Sequence, residues 1–409
     1  MMAYEQTVAQ SPSRNMMAQV YLPSYGSSPL LMIVSLIVLF LCFSRPAFGR
    51  FSWDTPWPKF EANTLEEFWS HEAGARFPSR DFVEAVQAAS FAVCDGRGRQ
   101  RRLVLLSLVS EFALSGSGLW ELFLGNLRNI TFSRREGSQD HLANHLVAHM
   151  MTATNATGDN CNRISNRFGA RCVKITNDIF TKENFGYRTL QFYGLSFVKV
   201  LTILDALTLG VDILFLDSDQ VFFRNPLPYM LARDIDVLVA GDCGQRDDVT
   251  PAVLFPRINS NIGLLYMRST AMLTRAVNDW FYYLARRAAD GRKPVLDQST
   301  FMGAMERVSV EVGPQRMSLA MLVPDFFPHR CMSPCGCDTE GSPPGGLGKR
   351  LNKTYKGTCH PDVVRKWYNF HAPCVGDMNM KAKQLRQLLA VYEFYIGPVN
   401  SLSSPMDAL

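Results

Sequence analysis

Residues Val211 to Pro226 read V-D-I-L-F-L-D-S-D-Q-V-F-F-R-N-P, and the fold turns on them. Ile213-Leu214-Phe215-Leu216 is an apolar run that stops at two carboxylates, Asp217 and Asp219. A short apolar run bounded by turn residues reads as a buried strand. Residues two apart in extended chain point the same way, so both carboxylates address one point. Left bare at the end of a buried strand they are costly. A hard divalent cation, Mn²⁺ or Mg²⁺, satisfies both through oxygen. The alternative is a pair of turn-forming Asp residues. A second D-x-D, Asp234-Ile235-Asp236, begins a strand instead of ending one, so its carboxylates are expected to cap a turn.

Strand and helix patterns alternate outward from this stretch. Leu103 to Val109 is a continuous apolar first strand, with further strand candidates at Leu142 to Met151, Cys172 to Ile175, Asp236 to Ala240 and Ile262 to Met267. Helical spacing of apolar residues marks Asp81 to Val93, Leu119 to Leu127, Phe192 to Leu209 and Thr270 to Arg287. This alternation predicts an α/β fold: a mostly parallel, Rossmann-type sheet with helices on both faces. In such sheets ligands bind outside the carboxyl ends of strands, where Asp217 and Asp219 fall. No internal repeat is visible, and Gly341 to Gly348 reads as a peripheral loop.

The chain has 409 residues, 47% hydrophobic and 19% charged, which is globular composition. A net charge of +5 with no basic–aromatic stripe is too small to imply a nucleic-acid partner, and none is expected. The basic run Arg97 to Arg102 reads as a solvated loop. Leu30 to Phe43 is apolar and uncharged, short for a span but extendable toward Tyr21. It reads as an uncleaved signal anchor, with a cleaved signal peptide as the alternative. The expected layout is a cytosolic tail at 1–29, the anchor at 30–48, a stem at 49–80, one catalytic domain at 81–395 and a tail at 396–409. Ten cysteines and the sequons at Asn129, Asn155 and Asn352 suit an oxidising lumen. The expected location is a single-pass type II protein of the Golgi membrane, or a secreted or endoplasmic-reticulum protein after cleavage. Cys161 and Cys172 are placed to close a short loop. Cys331, Cys335, Cys337, Cys359-His360 and Cys374 offer zinc as a rival reading, though the spacing matches no paired C-x-x-C pattern. Hydrolase and P-loop signatures are missing.

The stretch from Gly210 to Pro226 resembles the core motif of the nucleotide-diphospho-sugar transferase domain, glycosyltransferase family seventy-seven, with a GT-A type fold. Other pieces follow in that family's order: Phe197-Val198-Lys199-Val200-Leu201, Ile258-Asn259-Ser260-Asn261-Ile262-Gly263-Leu264, Asp297-Gln298, and Asn369-Phe370-His371-Ala372-Pro373-Cys374, with Lys381 and Lys383 shortly after. The resemblance runs from about Leu103 to Leu388. It implies a glycosyltransferase that moves galactose, xylose or arabinose from a nucleotide-sugar, a UDP-sugar by expectation, to a glycan or glycoprotein hydroxyl. It implies that Asp219 binds the metal directly and that Asp217 binds the ribose, or the metal through water. His371 is the implied third protein ligand. Lys199 is expected near the diphosphate, and Asn261 and Gly263 at the acceptor side. Asp297 is expected at the transferred sugar or acceptor hydroxyl, or else as a helix N-cap. Between Asn259 and Asn261 the functional residue stays open. Retention of configuration is implied, and a front-face route needs no carboxylate nucleophile. The alternatives are a luminal scaffold of the same fold without catalysis and an inverting relative.

Overall fold

The computed structural model describes residues 78–133, 137–152, 154–176, 180, 189–241, 250–251, 260–290, 296–312, 317–328, 361–373 and 377–399. The expected tail and anchor, most of the stem, Gly341 to Gly348, Asn352 and the cysteines from Cys243 to Cys374 lie outside these residues, and with them the zinc alternative. Among the described residues no helix is long and apolar enough to cross a membrane.

The elements in chain order are α1 (Arg80–Ala89), β1 (Phe91–Cys94), β2 (Gln100–Ser110), α2 (Glu111–Ser115), α3 (Leu119–Asn129), β3 (Thr131–Ser133), β4 (Gln139–His141), β5 (Leu146–Thr152), α4 (Asn155–Arg167), β6 (Arg171–Thr176) and α5 (Leu190–Thr208). There follow β7 (Asp212–Leu216), β8 (Gln220–Phe222), α6 (Leu227–Leu231), β9 (Val237–Ala240), β10 (Thr250–Pro251), β11 (Asn261–Met267), α7 (Ala271–Asp290), α8 (Asp297–Val312), β12 (Ser318–Leu322), α9 (Pro361–Val364), β13 (Asn369–His371) and α10 (Met378–Tyr395). The helix expected over Asp81 to Val93 stops at Ala89, because Ser90 is extended and Phe91 to Cys94 pair with β2 as a hairpin. Phe91 and Val93 pack against the core from that strand, which their helical spacing conceals.

The main sheet has the order β10-β12-β9-β11-β7-β2-β5-β6, with β1 also on β2. Strands β12, β9, β7, β2, β5 and β6 share one direction, so the sheet is mostly parallel, as expected. Strand β11 departs from the expectation, lying antiparallel between β7 and β9. The reversal brings the start of β11 to the end of β7, with Leu264 opposite Leu216. The chain lays β5 and β6 to one side of β2 and returns with β7 on the other. The order therefore reverses between β2 and β7, and crevices at such points hold ligands in open α/β sheets.

Period-two alternation splits the core. Val104, Leu106, Ile213 and Phe215 face α1, α5, α7 and α8, while Leu103, Leu105, Leu214 and Leu216 face α3, α4 and α6. A third cluster, including Val221, Phe370, Trp367, Leu385 and Tyr392, packs α10 under the small sheet of β8 and β13. Cys161 and Cys172 are disulfide-bonded, as their spacing suggested, and tie α4 to β6.

One core-facing group works against stability. Asp205 lies buried in the last turn of α5, where the helix dipole also disfavours a negative charge. Burial pushes its carboxyl up to about 7. The unfolded chain releases this proton near pH 4, but the folded chain holds it until about 7. Stability is therefore lost across that window as pH rises. Asp205→Asn is expected to stabilise the protein at pH 8 by about 1–3 kcal/mol, with the gain fading toward pH 4. Urea unfolding at the two pH values measures this.

Candidate active site

The carboxyl end of β7 collects side chains from distant parts of the chain. After Leu216 the backbone turns through Asp217-Ser218-Asp219 and re-enters a strand at Gln220. Strand β13 pairs with β8, so His371 lies opposite Gln220. His371 Nε2 stands 2.9 Å from Asp219 Oδ1 and 3.8 Å from Asp217 Oδ2. Asp217, Asp219 and His371 each present one ligand atom, all within 4.8 Å of one another. The free edge of β8 is held by Asn126, whose amide donates to Phe222 O at 2.8 Å and accepts from Phe222 N at 2.6 Å.

Gly263 explains how these groups approach so closely. Its carbonyl accepts from Asp217 N at 2.7 Å. A Cβ at this position would lie 2.1 Å from His371 Cε1 and 2.6 Å from Asp217 Oδ2. Only glycine leaves space for both donors. Asn261 acts locally, since its Oδ1 accepts from Gly263 N at 2.9 Å, across an irregularity in the β11–β9 pairing. It thereby shapes the backbone that carries Gly263. Asn259 lies outside the described residues.

Lys199 runs beneath the turn from α5. Its Nζ lies 3.1 Å from Asp217 Oδ1 and 3.4 Å from Asp297 Oδ2, and 4.5 Å above the centre of the Phe215 ring. Burial works against the ammonium, but the two carboxylates outweigh it and hold its pKa above the ordinary lysine value. The charge expected near a diphosphate is thus already flanked by two anions. Asp297 opens α8 and also meets Ser196, accepting from Ser196 Oγ at 3.4 Å. The Trp280 indole donates to Asp297 O at 3.1 Å and fixes this turn. Lys199 therefore bridges the carboxylates of Asp217 and Asp297.

Lys381 completes the cluster, although its sequence context gives it no role. From α10 its Nζ reaches Asp219 Oδ2 at 2.6 Å. Burial of Asp219 opposes ionisation, yet Lys381 and His371 outweigh it and hold the carboxyl below its usual range. A lysine ten residues after His371 carries no distinctive local pattern. Only the packing of α10 beneath β8 and β13 makes it a partner of Asp219.

These residues fit a hard divalent cation. Two carboxylates and one imidazole converge, Asp219 is kept ionised, and Gly263 keeps the space clear. Among the described residues His371 Nδ1 is buried without a hydrogen-bond partner, and the ring meets Asp219 and Asp217 through Nε2. The donor set of oxygen and imidazole nitrogen suits Mn²⁺ or Mg²⁺.

The second D-x-D lies at the opposite end of the strands, just before β9. Asp234 has φ 46° and accepts from Arg99 at 2.7 Å and Arg268 at 2.8 Å, while Asp236 accepts from Ser318 N at 3.0 Å. These carboxylates are spent on the fold, in ion pairs with arginines and a bond to Ser318 and not in the turn cap that was expected. Their partners also correct the reading of the basic run. Arg97 and Arg99 pair with Asp234, and Arg101 grips Asp212 through two bonds of 2.6 Å, so the run is structural and not merely solvated. Of the sequons, Asn129 is exposed at the end of α3 and Asn155 opens α4.

Residues 156–385 match the nucleotide-diphospho-sugar transferase family, more than half of the chain. Arabinosyltransferase XEG113 of Arabidopsis thaliana is 30% identical over 139 residues, 32% of this chain. That stretch covers 19% of the relative, so the chain spans about a fifth of its length. Among solved structures, mouse xyloside xylosyltransferase 1 in its apo form is 14% identical with a TM-score of 0.36, covering 66% of this chain and 98% of that one. Apo GlyE of Streptococcus pneumoniae is 12% identical with a TM-score of 0.37, covering 73% of this chain and 65% of that one. At these values the structural likenesses carry nothing about chemistry. The family match does, since it contains the D-x-D turn, Gly263, Asp297, His371 and Lys381: the chain is a glycosyltransferase belonging to the nucleotide-diphospho-sugar transferase family.

Proposed function

We propose that the chain transfers a sugar from a UDP-sugar to a hydroxyl of a glycan or glycoprotein, with Mn²⁺ or Mg²⁺ held by Asp217, Asp219 and His371. The observation that carries this reading is the convergence of those three donors within 4.8 Å at the carboxyl end of β7. A divalent cation at this site supplies charge neutralisation for a leaving diphosphate. The chain's own residues do the rest. Lys381 keeps Asp219 ionised and turned toward His371. Lys199 holds the Asp217 and Asp297 carboxylates together at the rim, where Asp217 meets the ribose or the cation and Asp297 orients the sugar or the acceptor hydroxyl. Gly263 allows the donor sugar's neighbours to close without a side chain between them. Transfer with retention by a front-face route matches a site in which no separate carboxylate nucleophile is needed.

Galactose, xylose and arabinose remain the donor candidates, and the relation to an arabinosyltransferase puts arabinose first for testing. The Cys161–Cys172 disulfide supports a catalytic domain in an oxidising compartment, in line with a luminal domain held in the Golgi by the 30–48 segment. The test is a screen of the chain's luminal part against UDP-sugars, counting cleaved donor with and without Mn²⁺. Metal-dependent cleavage of one donor is the expected result. No cleavage and no metal-dependent nucleotide binding would favour the scaffold alternative.

A further inference from the structure

We infer that Gln220 and Asn369 form an amide relay that positions His371 and Gly263 around the cation site, an inference that rests on the function proposed above.

Gln220 follows the D-x-D turn directly, and it is fully buried. An apolar residue would be the ordinary occupant there, because Val221 and Phe222 beside it are core residues. A buried amide is costly unless its donors and acceptor are met. Both ends of this one are. Gln220 Nε2 donates to the carbonyl of Gly263, and Gln220 Oε1 accepts from Asn369 Nδ2 at 2.6 Å. Asn369 is itself 1% exposed and stands two residues before His371 on β13.

The register gives this pair its reach. Gln220 is opposite His371, and Asn369 is opposite Phe222, so Gln220 and Asn369 are diagonal neighbours on one face of the β8–β13 ribbon. His371 shares that face with Asn369 by the period-two rule. The relay thus joins three strands, each carrying part of the site: β8 after Asp219, β13 with His371 and β11 with Gly263. The Gly263 carbonyl accepts from both Gln220 and Asp217 N, so one oxygen sets the spacing of β11 against the D-x-D turn. That spacing decides whether the glycine clears the His371 ring and the Asp217 carboxylate. The network is not built for maximal stability, since Asn369 Oδ1 is buried with no hydrogen-bond partner among the described residues. A polar pair kept in an apolar place at that cost fits a role in geometry. Gln220 and Asn369 are positioning residues and touch neither sugar nor diphosphate.

The test compares Gln220→Leu with the double variant Q220L/N369L in two measurements. Calorimetric titration of UDP in the presence of Mn²⁺ reads the site. The imidazole NMR signal of His371 in metal-free protein reads the ring directly. Gln220→Leu strands the Asn369 amide and is expected to lower both stability and UDP affinity. The double variant removes both amides and is expected to recover the melting temperature. Its Mn²⁺-dependent UDP affinity should stay at least about tenfold weaker than wild type, the range for supporting contacts around a metal site. Its His371 signal should shift or broaden. Wild-type UDP affinity and an unchanged His371 signal in a stable double variant would overturn the inference. A wild-type protein that binds no UDP with Mn²⁺ would sink the proposed function instead, and the His371 signal alone would then decide the positioning role.

Discussion

Asp219→Asn is expected to lower sugar transfer by about a thousandfold while leaving the protein folded. The substitution keeps shape and removes charge. It replaces one oxygen of a carboxylate that meets His371 at 2.9 Å and Lys381 at 2.6 Å. Loss of a strong anionic ligand weakens a cation that stabilises the leaving diphosphate by several kcal/mol. At a tenfold change per about 1.4 kcal/mol, a loss of about 4 kcal/mol gives the stated factor. The fold has less at stake. Lys381 loses its charged partner, but its side chain is 19% exposed and can turn to water. The expected cost in stability is about 1.5–3 kcal/mol, the range for one charged hydrogen bond. Steady-state transfer at saturating Mn²⁺, with a circular-dichroism melt of the same sample, checks both parts. Activity near wild type would remove Asp219 from the cation site.

Gly263→Ala is expected to damage the same site by a different route. A single methyl group would sit 2.1 Å from His371 Cε1 and 2.6 Å from Asp217 Oδ2. Neither neighbour can give way cheaply. His371 is buried on a strand paired to β8, and Asp217 is held by Lys199 and by its own backbone bond to Gly263. The methyl therefore pushes two proposed metal donors apart. The expected outcome is a loss of Mn²⁺-dependent UDP binding by about tenfold to a hundredfold, with an overpacking cost of about 1–3 kcal/mol. Gly210→Ala is the matching control. It lies at the other end of β7 with φ +75 and open space around it, so it strains the backbone without reaching the donors. It should lower the melting temperature and leave UDP affinity unchanged.

The fold was legible where the chain's chemistry is local. The run Ile213 to Leu216 had to be a buried strand, and two carboxylates at its end had to face one way. Strand β2 and helix α5 were readable for the same reason, since their apolar residues follow one period without interruption. The direction of β11 was not readable, because an N-x-G followed by apolar residues looks the same in a parallel or antiparallel strand. The hairpin of β1 was hidden because Phe91 and Val93 continue the apolar spacing of α1. The Arg97 to Arg102 run was misread because two of its three carboxylate partners, Asp212 and Asp234, are more than a hundred residues away; only Asp95, which Arg99 meets at 2.8 Å, is local.

The candidate site divides along the same line. Asp217 and Asp219 stood out by position on their own strand. His371, a lone histidine, entered only through the family resemblance. The structure brings it against Asp219 because β13 pairs with β8. Lys381, Gln220 and Asn369 lie in or beside the quoted motifs, but nothing local in the sequence assigns them a partner. Their partners are fixed by register and by the packing of α10, which no single window of sequence contains. Asn261 shows the reverse case. Its motif was conspicuous, but its Oδ1 is used to shape the backbone at Gly263.

The most direct measurement is a calorimetric titration of UDP into the wild-type protein and into Asp219→Asn, each with and without Mn²⁺. A site built from Asp217, Asp219 and His371 predicts UDP binding by the wild type only when Mn²⁺ is present, and none by the variant under either condition. Equal UDP binding with and without the metal, or retained metal-dependent binding in Asp219→Asn, would contradict it.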